Sequence, residues 1–395
     1  VGATFGAAPQ GEQMDFTLSD EDRQLRDTVR EFVEEVANPV WQQIEKDDRL
    51  PQSVIQRAQE LGLFGLTIPP EYGGLGLSVV QKALVHEMLG RGPWGLASYI
   101  SVHTGIGCTG INLFGTKEQK ERYLPKMASG EWLGCFGLTE PGAGSDAGNL
   151  QTRAERDGDQ WVINGHKIFI TNAPYAHHVL VFARAPKGIS AFIVDTDTKG
   201  FQIGQVFDTL GHKGSAISEL VFEDCRIPAS NLVGEEGKGF DIAKRSLSEG
   251  RTMLSSRSVG AAQKAMELAI EHGEQRHTFG KALLDHQALA FRLAQMSART
   301  EAGRLLVYRC AWMLDNGSPA IRESSTAKFF CGEGLWQTVD DAIQMLGGYG
   351  YISHEYMIER IWRDARVVRV YDGSSEVQQI LIAQRLRKGD IETKW

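Results

Sequence analysis

The sequence predicts an α+β protein in three parts, a helical unit, a small β-domain and a second helical unit. Three observations carry this prediction. Apolar residues recur at helical spacing in the first third, short β-branched and aromatic runs cluster in the middle, and the helical period returns from Gly239 onward.

The first part spans residues 14–130. Ser19 followed by Asp22 is a capping-box pattern, and Leu18 ahead of it is placed to act as a hydrophobic staple. Leu25, Val29, Phe32, Val33 and Val36 follow at helical spacing, and Pro39 is expected to end the run. Thr116 and Gln119 repeat the capping signal before Leu124 and Met127. Between them, Ile68-Pro-Pro-Glu-Tyr-Gly-Gly-Leu-Gly76 reads as an irregular loop.

The middle part spans residues 131–234. Trp161–Gly165, Lys167–Ile170, Val179–Phe182, Ala191–Val194 and Glu219–Phe222 are short strand-like runs separated by Gly, Asn and Asp. No helical pattern lies between them, which excludes βαβ units and predicts a barrel or sandwich. In the last part, residues 235–395, a helix is expected over about 285–315, ended by Asp315-Asn-Gly317. Leu293, Met296, Leu305, Val307 and Met313 are its expected buried stripe. Residues 1–13 read as a leader ahead of a native Met14, or as a short native extension, and lack the pattern of a secretory signal.

Composition bounds the function. A chain of 395 residues with 42% apolar content and 12 prolines is neither disordered nor collagen-like. Five cysteines without a CxxC pair exclude a disulfide scaffold and a structural zinc site. The ten histidines show no metal-ligand spacing, so no metal is expected. A net charge of −8 argues against nucleic-acid binding, and no apolar run reaches the roughly 18 residues of a membrane span.

Two glycine-rich strings invite a nucleotide reading: Leu138-Thr-Glu-Pro-Gly-Ala-Gly-Ser-Asp146 and Leu346-Gly-Gly-Tyr-Gly350. Neither follows a strand and opens a helix in a βαβ unit, so a dinucleotide fingerprint is unsupported. Alone, each is equally a turn. Their order along the chain adds more. Ile68–Gly76, Leu138–Asp146, Asn164-Gly-His-Lys-Ile-Phe-Ile-Thr-Asn172, Arg276-His-Thr-Phe-Gly-Lys281, Gln344-Met-Leu-Gly-Gly348, Arg363-Asp364 and Tyr371-Asp-Gly-Ser-Ser375 stand in the order and spacing of one family. From about Phe16 to Arg387 the chain resembles the acyl-CoA dehydrogenases.

The resemblance implies a fold with a C-terminal four-helix bundle, and FAD lying between the β-domain and the C-terminal helices. Phe136, Leu138, Thr139, Gly144 and Ser145 would line the flavin, and Phe169, Ile170 and Thr171 would cover its other side. Many relatives carry Trp where this chain has Phe169. Arg276, Thr278, Phe279, Gln287, Gln344, Gly347 and Gly348 would reach FAD held by a neighbouring subunit, in a homotetramer built as a dimer of dimers. Ser374 and Glu376 complete the implied cofactor set, and Ser145, Ser248, Arg251 and Gly373 the implied substrate set. Read without the family, Arg276 and Arg251 are equally surface ion pairs, and Gly347–Gly348 a helix C-cap. The implied compartment is the cytoplasm for a bacterial chain or the mitochondrial matrix for a eukaryotic one.

In the family an acyl-CoA thioester loses an α-proton to a carboxylate and a β-hydride to the flavin, and electrons pass to an electron-transfer flavoprotein. Hydrogen bonds to the thioester oxygen, from a ribityl hydroxyl and the base residue's own amide, steady the developing enolate. Most relatives place Glu after the motif tyrosine; here the residue is Asp372. Another branch carries its base at the position of Gly250, which has no side chain, and Glu249 is turned about 100° away on a helix. Asp372 is therefore the expected base. Its shorter side chain leaves three readings: a pocket rebuilt for an α-branched or cyclic acyl group, carbanion oxidation of a non-CoA substrate such as a nitroalkane, or a flavin-binding module with little dehydrogenase activity. On its own, Asp372 also reads as a helix N-cap. Ala97 matches a position where a dicarboxylate-handling branch has Arg, which disfavours a glutaryl-type substrate.

Overall fold

The structure, a computed structural model, describes residues 17–391, so the leader reading of residues 1–13 falls outside the described residues. Seven helices come first: α1 (Asp20–Glu31), α2 (Trp41–Asp47), α3 (Gln52–Glu60), α4 (Val79–Gly90), α5 (Trp94–Thr104), α6 (Ile106–Phe114) and α7 (Lys117–Ala128). Ser19 caps α1 by accepting from the Asp22 N–H at 3.0 Å. Val29, Phe32 and Val33 are buried as their spacing predicts. Pro39 does not end the run. The chain stays helical through a π-turn at Phe32–Ala37 and a 3-10 turn at Asn38–Val40 before α2. Proline is tolerated there because the first turn of a new helical segment has no acceptor for its missing N–H. Thr116 and Gln119 form a reciprocal capping box on α7.

The β-domain contains β1 (Gly134–Gly137), β2 (Arg153–Asp157), β3 (Gln160–Thr171), β4 (His178–Ala185), β5 (Gly188–Asp195), β6 (Phe201–Phe207), β7 (Ile217–Pro228) and β8 (Leu232–Val233). They form one mixed sheet in the order β6-β7-β3-β2-β4-β5-β8, with β1 parallel to β4. Trp161 on β3 and Phe192 on β5 have two strands between them in that order, yet their rings lie 5.2 Å apart. The sheet is therefore curled around a common core that also holds Ile163, Val194 and Phe222. The predicted runs Trp161–Gly165 and Lys167–Ile170 are a single strand. It slips register against β7 between Lys167 and Ile170, which is a bulge.

After the sheet come α8 (Gly239–Gln275), a two-residue hairpin β9 (His277–Thr278) and β10 (Lys281–Ala282), α9 (Gln287–Asp315), α10 (Ile321–Leu346), α11 (Gly348–Tyr351), α12 (Met357–Arg366) and α13 (Ser375–Arg387). Met296, Val307 and Met313 are buried on α9 as expected, but Leu305 is 56% exposed. Leu305 is offset from Met296, Thr300, Gly303 and Val307, the residues that face the bundle, so its placement in the stripe is corrected. The two helical units meet where α4 crosses α8. A Cβ on Gly260 would lie 1.8 Å from the Glu87 carbonyl oxygen, and one on Gly90 would lie 2.1 Å from that of Arg257. Only glycine permits backbones to approach so closely.

Candidate active site

The first wall is the loop between β1 and β2 with the bulge of β3. The bulge puts Phe169 in the left-handed region at φ 60° and leaves its ring 61% exposed against Phe207. It also frees the Ile168 N–H to donate to the Thr139 carbonyl at 3.0 Å, joining the two stretches. Beneath them Lys167, fully buried, donates to Glu140 at 2.7 Å and to the Leu138 carbonyl at 3.1 Å. Glu140 in turn accepts from the Gln151 and Thr152 amides. Burial pulls the Lys167 ammonium down to about 8, against the pull of Glu140. Phe136, Leu138 and Ile170 point into the hydrophobic cores, so they offer a ligand backbone rather than side chain. Thr139 and Thr171 are half-buried, and Gly144 and Ser145 are exposed.

The second wall lies at the far end of the C-terminal helices. Arg276 follows α8 and is exposed, with no carboxylate within 4.0 Å among the described residues. Thr278 shares a hydrogen bond with His286 at 3.2 Å, and Phe279 is 97% exposed. Gln287 opens α9 on the surface. The His272 and Tyr349 rings, 5.5 Å apart, bring the end of α8 to the turn carrying Gly347 and Gly348, beside exposed Gln344. Gly347 does cap α10. FAD fits these two surfaces in kind. Side chains added at Gly142, Gly144, Gly148, Gly347 or Gly348 would meet nothing within 4 Å, so the surface there is open to a phosphate or ring edge, with the Gly347 N–H itself given to the Ile343 carbonyl.

The third part is the turn before α13. Asp372 and Gly373 are both left-handed, at φ 54° and 86°. Asp tolerates this region better than most residues, and Gly is indifferent to it. Asp372 does not cap the helix; Ser374 does, accepting from the Val377 N–H at 3.4 Å. Arg251 is not a surface ion pair either: it is largely buried, and its Nε donates to the Asp372 carbonyl at 3.1 Å. Ser375 and Arg369 both bind Glu333, at 2.6 and 2.8 Å. Glu376 is exposed in the first turn of α13, its carboxyl held low by its own backbone amide and Ser374.

Other expected residues lie differently. Ser248 is buried and its hydroxyl donates back to the Lys244 carbonyl at 3.1 Å, which leaves it turned along its own helix. Glu249 points away from the Gly250 face and pairs with Lys82 at 2.5 Å. In the Arg363-Asp364 string, Arg363 binds Glu45 and Glu359, and Asp364 accepts from the His212 N–H at 2.5 Å. Arg91 is consumed by Glu34 and Glu267. Among the described residues no cluster of His, Cys, Asp or Glu is arranged to hold a metal, and no helix is long and apolar enough to cross a membrane.

Two residues that the sequence reading passed over hold this turn. Lys328 on α10 donates to the Gly373 carbonyl at 2.7 Å, and Gln378 on α13 donates to the carbonyls of Asp372 and Gly373 at 3.2 and 2.8 Å. A signal existed for Lys328. It sits in the helical stripe of Ser324, Cys331 and Leu335, where an unpaired charge is out of place.

Comparison with known proteins shows the family. Family models for the acyl-CoA dehydrogenase N-terminal, middle and C-terminal domains match residues 19–131, 135–225 and 237–387. The short-chain specific acyl-CoA dehydrogenase of Rattus norvegicus mitochondria is 40% identical over 93% of this chain and 90% of its own length. A 3-(aryl)acrylate reductase of Clostridium sporogenes is 39% identical over 92% and 98%. A chain in the structure of the electron transferring flavoprotein of Acidaminococcus fermentans superposes with a TM-score of 0.92 at 37% identity, over 94% of this chain and 99% of that one. The protein therefore belongs to the acyl-CoA dehydrogenase family, whose members are FAD-dependent oxidoreductases.

Proposed function

We propose that this enzyme oxidises a short acyl-CoA thioester to the 2,3-enoyl-CoA, with Asp372 as the base that takes the α-proton. The observation that carries the reading is the turn at Asp372–Gly373. Both carbonyls are gripped by side chains, while the Asp372 carboxylate and N–H make no hydrogen bond among the described residues. An acceptor for a proton and a donor for an oxygen are thus presented together by one residue. FAD, when bound, supplies the two-electron acceptor for the β-hydride. The carboxylate removes the α-proton, and the N–H steadies the thioester oxygen as negative charge develops on it. Arg251, beside the same turn, adds positive charge near the thioester.

Asp is one methylene shorter than Glu, which withdraws its carboxylate by roughly 1 Å, a displacement able to cost about 10²-fold in rate. Gly250, on the opposing helix, adds no side chain, and a Cβ there would meet only Ile106 at 3.4 Å. The space supports an acyl group with an α-branch or a ring, which brings its Cα–H toward the shorter acid. Electrons are expected to leave to an electron-transfer flavoprotein; the resemblance to the Acidaminococcus structure supports this. Exposed Phe279, Phe291, Leu305, Trp312 and Tyr351 support assembly as a homotetramer.

The test is an anaerobic panel of straight, branched and cyclic acyl-CoAs, read as loss of flavin colour. Bleaching by a thioester that is abolished in Asp372→Asn with FAD retained supports the proposal. Bleaching by a nitroalkane where every thioester fails selects carbanion oxidation, and no bleaching by either, with no reoxidation of the reduced enzyme by an enoate or its thioester, selects the module. A second reading is favoured by the Clostridium sporogenes relative, the reductive direction on an arylacrylate. It predicts reoxidation of the dithionite-reduced enzyme by an aryl-2-enoate or its thioester, with no bleaching by the saturated acyl-CoA.

A further inference from the structure

We propose that Lys328 is a positioning residue for the reaction: with Gln378 and Arg251 it grips the two carbonyls that follow the base and so fixes where the Asp372 carboxylate and N–H stand. The inference rests on the reading of Asp372 as the base.

Three elements converge on two carbonyls. Lys328 comes from α10, Gln378 from α13 and Arg251 from α8, and their four hydrogen bonds span 2.7 to 3.2 Å. Lys328 and Gln378 are 1% and 0% exposed. A lysine so deeply buried is costly unless its charge is answered, yet among the described residues no carboxylate lies within 4.0 Å of its Nζ. Asp372 is the acid whose charge acts on it most, ahead of Glu333 and Glu376, with Arg251 opposing. Glu333 is already bound by Arg369 and Ser375, and Glu376 faces solvent. Asp372 alone of the three belongs to the turn that Lys328 grips; it is half-buried, and its carboxylate makes no hydrogen bond among the described residues. Lys328 therefore both anchors the turn and provides the positive field in which the base carries its charge.

The shorter base makes this grip matter. A glutamate has one more torsion with which to correct a misplaced backbone, and an aspartate does not. For Asp372 the reach of the carboxylate is set by the φ and ψ of a left-handed residue. That geometry is held from the carbonyl side by Lys328 and Gln378, and χ1 is the one staggered torsion left to adjust it.

The experiment uses the FAD-loaded enzyme and a 3-thia-acyl-CoA, in which sulfur replaces the β-carbon. This probe loses an α-proton but has no β-hydride to give, so its enolate is seen as a long-wavelength charge-transfer band with the flavin. Lys328→Met should keep FAD and bind the probe within about threefold of the parent, yet lose the band and about 10²-fold in kcat. Amide hydrogen exchange over residues 372–374 should quicken. Lys328→Arg, which keeps a cation in the same place, should recover kcat to within about tenfold of the parent. The parent's kcat should fall above pH about 8, where Lys328 gives up its proton, and Lys328→Arg should lack that alkaline limb. Should Lys328→Met fail to load FAD, Gln378→Met removes two of the four bonds and should show the same split between binding and band. A band and kcat within about threefold of the parent in either variant, or a loss confined to KM, overturns the proposal. Asp372→Asn separates the two readings: if it keeps the band, the base assignment fails, whereas a band lost in Asp372→Asn but intact in Lys328→Met removes the positioning role alone.

Discussion

Two buried lysines do the same thing in two regions and are answered differently. Lys167 in the β-domain donates to the Leu138 carbonyl at 3.1 Å, and Lys328 in the C-terminal helices donates to the Gly373 carbonyl at 2.7 Å. Burial draws both ammonium groups down to about 8. Lys167 meets Glu140 at 2.7 Å, and Glu140 is saturated by two further backbone amides, so the set is closed. Lys328 has no such ion pair, and the acid nearest in effect is the one proposed to do chemistry. A closed pair fixes the backbone around it with its charge neutralised; an open one leaves a charge free to act on the acid proposed as the base.

The comparison can be broken in several ways. Asp372→Asn should lower kcat by about 10²–10⁴-fold with the flavin spectrum and fold unchanged, measured by rapid mixing with the best acyl-CoA of the panel. Lys167→Met should instead act on stability, by about 3–5 kcal/mol, because it strands Glu140 in the interior. Denaturant unfolding of the FAD-loaded protein measures this, and equal stability losses in Lys167→Met and Lys328→Met would erase the distinction between the regions.

A smaller effect concerns acid. Burial holds His103 at about 4 and His178 and His212 at about 3, while an unfolded histidine titrates near 6.5. Between those values the unfolded chain binds more protons than the folded one, so stability is full above pH about 6.5 and falls as pH drops toward 4. His178→Leu should flatten part of that slope in thermal unfolding between pH 7 and 4.5. The smallest effect expected on the single chain is that of Leu305→Asp. At a site 56% exposed it should change monomer stability by no more than about 0.5 kcal/mol, yet shift the species seen in sedimentation if that face is covered in a tetramer.

Much of this was legible in the sequence. Capping boxes and apolar spacing located the helices, and the β-branched runs located the sheet, because both are local signals. Pro39 misled because proline, which has no N–H to give, is tolerated in the first turn of a helical segment, where that donor is not needed. The bulge that turns Phe169 outward could not be read, since a run such as Lys167–Ile170 looks like regular alternation until its register against β7 is known. The proposed base was nameable because its motif is contiguous. Its grip was not: Arg251 and the out-of-place Lys328 could be singled out, but the carbonyls that they and Gln378 bond leave no mark in a sequence. Leu305 was misplaced because period alone does not tell a face turned to the bundle from one turned outward.

The glycine-to-carbonyl crossing of α4 over α8 has a mechanical meaning. With no side chains between the two backbones, neither rod can slip a turn past the other without driving a carbonyl into a Cα, so the contact behaves as a rivet. Admission of a bulky thioester cannot then come from the two helical halves swinging apart. It has to come from rotamer changes and loop shifts at the rim, and placing a methyl group at Gly260 or Gly90 would loosen the frame long before it touched any reacting atom.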